Sequence, residues 1–464
     1  MIIWLESLGC SRNQVDSEIM LASLTAAGHE MGEGPSSADV IIVNTCGFIA
    51  DAADEAVDTI LAMAEYKAHG SCRRLVVTGC LCERFKKDTL AESLPEVDAF
   101  LGTGAVDSIV QAVEGGTGGI MDFFPDPCKR QFQVSPFPRE LTLDYSAYIK
   151  ISEGCNRKCT YCIIPQLRGR QRSRPVDDIV CETENLILKG VKEIIFTGEN
   201  TSDYGSDISC ESSRDKIDLA HLLEKISMRI DKMLMPSARA GHGSDTIPGK
   251  IWLRLLYTHP ASLTHEIIKC ISDLKTVSTY YDVPVQHASS DVLRKMGRPY
   301  TMEDLYSLFN LIRETDPDAV LRTTIITGFP GETEQDFKLL LKFIKDIRFN
   351  NLGVFTYSDS VDINSHDLPD HVPLDLACKR HDIIMAEQAK ISQEINQKYY
   401  GHVYPVLVEE NPDDGIYLGR TVFQAPDVDG ITFIYGSGLE IGSFVDVRIT
   451  ETYAYDLAGE VEII

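Results

Sequence analysis

The stretch KISEGCNRKCTYCIIPQLRGR, residues 150–170, places three cysteines within eight residues, directly after a short apolar run. Cys155, Cys159 and Cys162 follow the spacing C-x3-C-x2-C. The same spacing fits one face of a helix, but the glycine before the cysteines and the proline after them favour a loop. A structural zinc site has four ligands, and no fourth Cys or His lies nearby in the sequence. Iron–sulfur clusters accept short thiolate loops, so this stretch predicts a cluster with one iron left open.

Three strand-like runs in the first hundred residues are each followed by a cysteine. The runs span 2–9, 39–45 and 73–79, with helical patterns between them. The cysteines that follow them are Cys10, Cys46 and Cys80. Because the carboxyl ends of parallel strands share one edge of a sheet, we expect the three thiols to converge on a second metal or cluster site. Ordinary buried cysteines are the alternative, and Cys72 or Cys82 could be the ligand in place of the third.

Six further strand candidates follow, separated by helical patterns. They span 147–152, 191–198, 251–257, 280–285, 320–328 and 352–357. Six βα units predict a partial barrel, in contrast to the eight units of a closed TIM barrel. The cysteine-rich stretch comes after the first of these strands, at the edge where such folds bind their ligands.

The hydrophobic pattern divides the chain into parts of different character. From residue 403 onward, short β runs broken by turns predict a small β-barrel, and the Gly- and Ser-rich segment 231–250 is interpreted as an inserted loop. The predicted fold class is multidomain α/β, with a small parallel α/β sheet domain, a six-strand partial TIM-like barrel and a C-terminal small β-barrel. The predicted boundaries are 1–115 for the three-cysteine domain, 116–140 for a Gly- and Pro-rich linker, 141–374 for the partial barrel, 375–402 for a connecting helix and 403–464 for the β-barrel.

Composition and charge restrict the class of protein and its partners. The 464 residues are 44% hydrophobic and 25% charged, which is typical of a soluble globular protein. The N-terminus lacks a basic leader, and no apolar run reaches the ~18–20 residues of a membrane span. Thirteen cysteines, an odd number, do not resemble a secreted disulfide framework, so we predict a cytoplasmic protein with reduced thiols. A net charge of −26 favours cationic partners over phosphate backbones.

The motif C-x3-C-x2-C at the start of a six-strand partial barrel resembles the radical S-adenosylmethionine superfamily. With a three-cysteine domain in front and a small TRAM-like β-barrel behind, essentially the whole chain resembles the methylthiotransferases. Several segments are similar to the branch that modifies a ribosomal protein: LGCSRNQVDSE, SEGCNRKCTYCIIPQLRG, LRLLYTHP, DVPVQHASSDVLRKMGRP, TTIITGFPGETEQDF and GRTVFQAPDVDGITFI. The insertion at 231–250 and Ser11-Arg12, where Pro-Lys is more usual, depart from that pattern without replacing a predicted ligand.

The resemblance implies an activity and its cofactors. The implied reaction is β-methylthiolation of an aspartate in the twelfth protein of the small ribosomal subunit, using S-adenosylmethionine and two 4Fe-4S clusters. One cluster forms a 5′-deoxyadenosyl radical that removes a hydrogen from the aspartate β-carbon, and the other holds the sulfur. The implied ligands are Cys155, Cys159 and Cys162 for the first cluster and Cys10, Cys46 and Cys80 for the second.

Positions after the barrel strands are candidates for binding S-adenosylmethionine, as the resemblance implies. They are Gly198, Glu199 and Asn200 after the second strand, Gln286 and His287 after the fourth, and Gly328 and Gly331 after the fifth. Ordinary tight βα turns are the alternative for the glycines, and a structurally satisfied side chain is the alternative for His287. Arg168 and Arg170 are candidates to position acidic groups, unless they belong to a solvated basic turn.

The charge of the last part separates the possible substrates. Residues 403–464 contain 12 Asp and Glu against two arginines, Arg420 and Arg448, for a net charge of −10. A domain that binds RNA is expected to be basic, whereas an acidic one suits a basic ribosomal protein and speeds its encounter. We therefore expect a basic ribosomal protein as substrate, either free or in the ribosome, and no nucleic-acid substrate. We also expect a flavodoxin or ferredoxin as electron donor, no membrane partner, and a monomeric enzyme.

Two other functions are weighed against this one. A tRNA adenosine methylthiotransferase of the same family differs in substrate class, and a basic terminal barrel would favour it. A non-enzymatic iron–sulfur carrier would need neither a six-strand barrel nor a cluster with an open iron.

Overall fold

A computed structural model describes residues 1–115, 120–129, 139–208, 217–235 and 249–462. Most of the predicted linker (116–140) and of the predicted insertion (231–250) lies outside the described residues, as does Cys210. Within the described ranges, no helix is both long enough and apolar enough to cross a membrane.

The N-terminal part is a six-stranded parallel sheet. Its strands are β1 (Ile2–Ser7), β2 (Glu30–Met31), β3 (Val40–Thr45), β4 (Arg74–Gly79), β5 (Ala99–Leu101) and β6 (Met121–Phe123), hydrogen-bonded in the order β2-β1-β3-β4-β5-β6. Its helices are α1 (Ser11–Ala26), α2 (Ala50–His69), α3 (Cys80–Ser93) and α4 (Ile109–Glu114). The strand–helix alternation predicted from the sequence is therefore present.

Alternation along the strands explains why both faces of this sheet are covered. In β3, Val40 and Ile42 pack in one apolar cluster with α1 and α4, whereas Ile41 and Val43 pack in another with α2 and α3. The sheet contains three strands that the sequence did not predict. Strands β2, β5 and β6 are only two or three residues long, so they show too little hydrophobic alternation to be recognised. Strand β6 lies in the stretch that the sequence assigned to the linker.

The central part contains eight strands, six of which are parallel and form the partial barrel, with helices outside them. Its strands are β7 (Ser146–Lys150), β8 (Ser152–Glu153), β9 (Arg172–Ser173), β10 (Glu193–Thr197), β11 (Trp252–Leu255), β12 (Tyr280–Asp282), β13 (Val320–Thr327) and β14 (Asn351–Thr356). Its helices are α5 (Ile164–Leu167), α6 (Val176–Leu188), α7 (Leu219–Leu234), α8 (His265–Asp273), α9 (Ser290–Lys295), α10 (Met302–Thr315), α11 (Glu334–Ile347) and α12 (Leu374–Asn396). Strands β8 and β9 form a separate antiparallel pair.

Two three-stranded sheets make up the partial barrel. One has the order β11-β10-β7 and the other β12-β13-β14, all parallel. Backbone hydrogen bonds join them at Leu253, whose N–H donates to Thr276 O (2.9 Å) and whose carbonyl accepts from Ser278 N–H (2.8 Å). The six strands therefore follow one another in chain order, as the sequence predicted.

Side-chain caps fix where two of the outer helices begin. Thr301 before α10 and Thr333 before α11 each accept a hydrogen bond from the backbone N–H three residues later. The carboxylates of Asp304 and Asp336 accept from the threonine N–H groups in return, which completes a capping box at each helix. The first of these turns joins α9 to α10, and the second connects the end of β13 to α11.

The C-terminal part is a closed five-stranded barrel. Its strands are β15 (Val403–Asp413), β16 (Ile416–Thr421), β17 (Thr432–Tyr435), β18 (Phe444–Thr452) and β19 (Leu457–Val461), in the order β15-β16-β17-β19-β18. The loop between β16 and β17 packs at the amino ends of the central strands. Its Ala425 is fully buried with Tyr148, Tyr280 and Val320 of the partial barrel.

Buried polar contacts attach β16 and this loop to the partial barrel. Arg420 donates to Glu193 Oε2 (2.6 Å), and Glu193 also accepts from Arg254 (2.9 Å). Tyr280 donates its hydroxyl proton to Asp429 at 2.6 Å. The small barrel therefore closes the end of the partial barrel that is opposite to the carboxyl ends of its strands.

Candidate functional site

The first cysteine triad lies at the carboxyl edge of the N-terminal sheet. Cys10 caps α1 after β1, Cys46 directly follows β3, and Cys80 opens α3 directly after β4. Gly79 adopts φ +103°, and a Cβ there would come within 2.5 Å of Thr45 O. Only glycine allows β4 and β3 to approach so closely at the point where the cysteines emerge.

Asn13 holds the strand ends of this triad together. Its side-chain N–H groups donate to Leu8 O (3.0 Å) after β1 and to Thr45 O (2.9 Å) at the end of β3. Its Oδ1 lies 4.0 Å from the sulfur of Cys80. One buried amide therefore contacts all three connections that carry the cysteines.

The second triad lies in a loop between β8 and α5, as predicted. The backbone N–H of Cys155 donates to Gly169 O (3.1 Å), and the N–H of Arg157 donates to the Cys155 sulfur (3.4 Å). Gly154 adopts φ +80°, and a Cβ there would lie 2.3 Å from Arg170 O. This tight turn brings the two ends of the cysteine loop together.

Both triads line one cavity. The cavity has a volume of about 310 Å³. Its lining consists of Cys10, Arg12, Asn13, Cys46, Phe48, Cys80, Cys155, Arg157, Cys159, Tyr161, Cys162, Ile164, Arg168, Glu199, Asn200, Tyr257, Thr258, His259, Pro284, Gln286 and Arg298. Cysteines more than 140 positions apart in the chain thus face the same space.

Cys10 differs electrostatically from the other thiols. Burial alone would raise its pKa, but the guanidinium groups of Arg12 and Arg168 and the backbone N–H groups of Asn13 and Arg12 outweigh burial. The pKa of Cys10 therefore lies below its ordinary value. A thiolate is the form that binds iron, so these neighbours favour the ligating state.

Burial dominates at four of the other cysteines. It raises the pKa of Cys80 and Cys155 to about 11 and that of Cys162 to about 12, and it also raises the pKa of Cys46. Such thiols keep their protons until a metal displaces them. Loading of these positions is therefore coupled to proton release.

The donor set fits iron–sulfur clusters better than a single metal ion. Among the described residues, no three His, Cys, Asp or Glu side chains lie close enough together to hold one ion. A zinc ion draws four ligands tightly around itself, whereas a four-iron cluster keeps its thiolates farther apart. Each triad brings three thiols to the cavity, which is the ligand set expected for a four-iron cluster with one open iron.

Arg168 connects the two triads through buried charges. It donates to Asp16 (2.8 Å), Glu153 (2.7 Å) and Asn13 (2.6 Å), and its Nη2 lies 3.6 Å from the Cys80 sulfur. The Arg168 side chain is 2% exposed, so it does position acidic groups and does not belong to a solvated turn. Arg170 is exposed.

Among the residues predicted to bind S-adenosylmethionine, Glu199 has a buried carboxylate that faces the cavity. Its carboxylate is 3% exposed, and neither oxygen has a hydrogen-bond partner among the described residues. The nearest cation is Arg12, whose Nε lies 3.6 Å away. Asn200 and Gln286 also line the cavity.

Four other predicted positions lie outside the lining of this cavity, namely Gly198, Gly328, Gly331 and His287. The carbonyl of Gly198 accepts a hydrogen bond from Arg12 (2.9 Å). The N–H groups of Gly328 and Phe329 donate to Glu332 (2.5 and 3.2 Å), so the turn after β13 is satisfied internally. Gly331 faces Lys295. His287 is fully buried and accepts a hydrogen bond from Ser289 N–H (2.9 Å).

Several lining residues were not singled out from the sequence. Arg298 donates to the Tyr161 hydroxyl (2.5 Å), and Arg12 lies over the Tyr257 ring at 5.0 Å. Arg12 follows Cys10 by two positions, which was the one available signal. Arg298 and Tyr257 come from remote segments that only the fold brings together. Cys72 and Cys82, the alternative ligands, are buried and do not line the cavity.

Family models match all three parts of the chain. The Uncharacterized protein family UPF0004 matches residues 2–102, the Radical SAM superfamily matches residues 149–344, and the TRAM domain matches residues 401–461. The predicted fold class is therefore confirmed. Membership of the Radical SAM superfamily implies a 4Fe-4S cluster and S-adenosylmethionine.

A solved structure supports the same fold. The radical S-adenosylmethionine methyltransferase TsrM from Kitasatospora setae, solved with tryptophan and an S-adenosylmethionine analogue, has a TM-score of 0.54. It is 15% identical and covers 89% of this chain and 79% of its own. At this identity the likeness concerns the fold alone.

Relatives of known name match the full length. The ribosomal protein uS12 methylthiotransferase RimO of Desulfosudis oleivorans is 46% identical over 464 residues, which is all of both chains. The protein of the same name from Clostridioides difficile is 41% identical over 99% of this chain and 98% of its own. These matches confirm the branch predicted from the sequence and do not favour the tRNA-modifying branch. The chain belongs to the ribosomal protein uS12 methylthiotransferase family, whose members are radical S-adenosylmethionine enzymes.

Proposed function

We propose that this chain methylthiolates the β-carbon of an aspartate in ribosomal protein uS12. The observation that carries the proposal is the single cavity lined by both cysteine triads. A sulfur donor held at one triad would there face a radical formed at the other. A simple iron–sulfur carrier would have no use for such a shared space.

The proposed cofactors are two 4Fe-4S clusters and S-adenosylmethionine. The proposed ligands are Cys155, Cys159 and Cys162 for one cluster and Cys10, Cys46 and Cys80 for the other. When bound, the clusters supply the electron that cleaves S-adenosylmethionine and the open iron that holds a sulfur donor. The protein contributes orientation and exclusion of water.

Glu199 is proposed to bind the ammonium group of S-adenosylmethionine. Its buried carboxylate lacks a hydrogen-bond donor, and an ammonium group would supply up to three. Asn200 is proposed to bind the same ammonium group. Its side chain is fixed in position, because its amide donates to Asp203 (2.7 Å) and its oxygen accepts from Ser202 (2.9 Å). Gln286 is proposed to contact the cosubstrate from the cavity wall.

Residues behind that wall are proposed to support it. Gly328, Gly331 and His287 lie in the turns after β12 and β13, next to the carboxyl ends of the barrel strands. Glu332 accepts hydrogen bonds in the β13 turn and is itself paired with Arg380 (3.0 Å). A turn fixed in this way keeps the strand ends at constant separation.

The small barrel is proposed to attract the basic substrate. Arg420, one of its two cations, is buried against Glu193, and Arg448 is paired with Glu462 at 2.6 Å. The exposed surface of residues 403–462 therefore carries a large excess of carboxylates over cations. Opposite charge would steer a ribosomal protein towards the enzyme.

The remaining partners follow from this activity. One chain provides both triads, so we propose that the enzyme acts as a monomer. A flavodoxin or ferredoxin is the proposed electron donor, because the cleavage requires one electron at low potential. The proposed location is the cytoplasm, where ribosomal proteins are made.

Anaerobic reconstitution tests the proposal. The chain is loaded with iron and sulfide, reduced with dithionite, and incubated with S-adenosylmethionine and either uS12 or tRNA. We expect 5′-deoxyadenosine, together with the mass gain of a methylthio group on an aspartate of uS12. A methylthio group on tRNA would overturn the substrate, and the absence of 5′-deoxyadenosine would overturn the radical chemistry.

A further inference from the structure

His259 is a buried histidine in the cavity that the proposed function leaves unused. It follows β11 in the segment Tyr257-Thr258-His259 and is 6% exposed. It lines the cavity together with both cysteine triads. Tyr257, two positions before it, has φ +58°, a left-handed backbone conformation that is uncommon for a residue other than glycine.

The hydrogen bonds of the ring fix which nitrogen carries the proton. Nδ1 of His259 accepts a hydrogen bond from the backbone N–H of Ala261 at 3.1 Å. A neutral imidazole with an accepting Nδ1 carries its proton on Nε2. Nε2 is buried and has no hydrogen-bond partner among the described residues. A buried N–H donor without an acceptor costs stability, so a functional reason is expected.

Neighbouring residues hold the ring in one orientation. The backbone N–H of His259 donates to Ser202 Oγ (2.9 Å), and Ser202 also contacts Asn200 and Ser262 (2.9 Å each). The ring packs edge to face with Tyr300, with their centroids 5.7 Å apart. The Nε2–H direction is therefore set before any ligand arrives.

The electrostatic surroundings specify what the donor would bind. Burial, and then the charges of Arg298 and Arg157, lower the pKa of His259 to about 2. The ring consequently remains neutral at physiological pH. Both arginines line the same cavity. Arg157 is paired with Asp203 (2.8 Å), whereas Arg298 contacts the Tyr161 hydroxyl, so the positive potential of Arg298 favours an anionic acceptor over a neutral one.

We propose that His259 Nε2–H donates a hydrogen bond to a carboxylate of a bound reactant. The inference rests on the proposed function, which brings two carboxylates into this cavity. One belongs to the methionine part of S-adenosylmethionine, and the other is the side chain of the target aspartate. His259 would thus be a binding residue that orients a reactant without exchanging a proton.

Two substitutions separate a donor from a packing residue. His259→Gln keeps an N–H near the position of Nε2, whereas His259→Leu keeps the volume without a donor. Each variant is loaded with clusters and its iron content is compared with that of wild type. Equilibrium dialysis then measures the affinity for S-adenosylmethionine alone and for uS12 alone. His265→Leu, at an exposed position, is the control for histidine removal.

We expect His259→Leu to bind one of the two reactants about tenfold to a hundredfold more weakly, as for a lost hydrogen bond to a charged group. His259→Gln should stay within a few-fold of wild type. Weaker binding of S-adenosylmethionine assigns the methionine carboxylate, and weaker binding of uS12 assigns the aspartate. Wild-type affinity for both reactants in His259→Leu, or equal losses in both variants, would overturn the proposal. If His259→Leu does not load, His259→Asn, whose amide is too short to replace Nε2, takes its place.

Wild type provides the separate check on the proposed function. If wild type forms no 5′-deoxyadenosine, the proposed function fails, whatever the variants bind. If wild type modifies uS12 and His259→Leu binds both reactants normally, only the inference about His259 fails.

Discussion

The two cysteine triads reach one cavity by opposite routes. Cys155, Cys159 and Cys162 are neighbours in a single loop, and the backbone hydrogen bonds of that loop arrange them. The triad at Cys10, Cys46 and Cys80 spans 70 residues and is assembled by three strand ends of one sheet. The loop triad is therefore local, whereas the triad at the strand ends is assembled by the tertiary fold.

This difference identifies where each triad is vulnerable. The local triad depends on the turn at Gly154, and the assembled triad depends on Asn13 and on the contact between domains at Arg168. Another ion pair, Arg84 with Asp362 at 2.7 Å, also joins α3 to the loop after β14. Changes in single residues should therefore affect one triad and spare the other.

Removal of one ligand from each triad should give the largest and most divergent effects. Cys159→Ala is expected to lower the formation of 5′-deoxyadenosine at least about a thousandfold, which corresponds to about 4 kcal/mol. Cys46→Ala should keep that cleavage within a few-fold of wild type and yield no methylthiolated uS12. Both products are measured in the same incubation. Loss of cleavage in both variants would contradict separate roles for the triads.

Arg168→Ala should destabilise the contact between the two domains by about 3 kcal/mol, because it removes one of two buried cations, the other being Lys150, from a network with Asp16 and Glu153. Arg168→Lys should lose less, since it keeps the charge but not the forked geometry. Chemical denaturation of the metal-free chain measures both effects.

Arg170→Ala is the matched control for this network, because Arg170 is exposed and lies two positions along the same segment. Its stability should stay within about 0.5 kcal/mol of wild type. An equal loss in Arg168→Ala and Arg170→Ala would exclude a special role for the buried network.

Asn13→Ala and Gly154→Ala should each impair a different triad. Loss of the Asn13 amide leaves the Leu8 and Thr45 carbonyls without their side-chain donor and should cost about 1–3 kcal/mol. Alanine at position 154 would meet Arg170 O and bear a left-handed strain of about 1–2 kcal/mol. Iron analysis of each variant combined with Cys159→Ala or Cys46→Ala shows which triad fails to load. If Asn13→Ala impairs the local triad more, the assignment of Asn13 is wrong.

Acid is expected to have the smallest effect on the triads. The group concerned is Glu193, which lies at the end of the partial barrel opposite to the cysteines. Burial alone would raise the pKa of Glu193, but Arg420 and Arg254 lower it to about 2. A depressed carboxylate pKa contributes stability above the unfolded value of about 4.5, and this contribution is lost as the pH falls towards 2.

Amide hydrogen exchange of residues 403–462 in the metal-free chain measures this effect, after correction for the intrinsic rate. We expect protection to fall between pH 4.5 and 2 in wild type and to be weaker and flatter in Glu193→Gln. Glu462→Gln, at an exposed ion pair, should follow wild type. Unchanged protection in wild type at pH 2 would contradict a charged Glu193 at this interface.

The sequence predicted both triads because their signals are local. C-x3-C-x2-C is contained in eight residues, and each member of the other triad follows its own apolar strand. The six central strands were predicted for the same reason. Short strands such as β2 and β6 have too few residues to show a period.

The sequence did not predict the residues that only the fold brings to the cavity. Arg298 and His259 lie in segments that resemble the family, but nothing in those segments marks them as cavity residues. Their place depends on the packing of strand ends from different βα units. The turn at Gly328 and Gly331 was a candidate for contact with the cosubstrate. Its N–H groups instead satisfy Glu332, a contact that the glycine pattern alone does not reveal.

We propose that both clusters face one cavity of a single chain. Electron paramagnetic resonance of the reduced, fully loaded protein tests it most directly, with Cys46→Ala and Cys159→Ala as the two single-cluster references. We expect a wild-type spectrum broadened by coupling between two nearby spins and different from the sum of the two references. A wild-type spectrum equal to that sum, at full iron content, would contradict it.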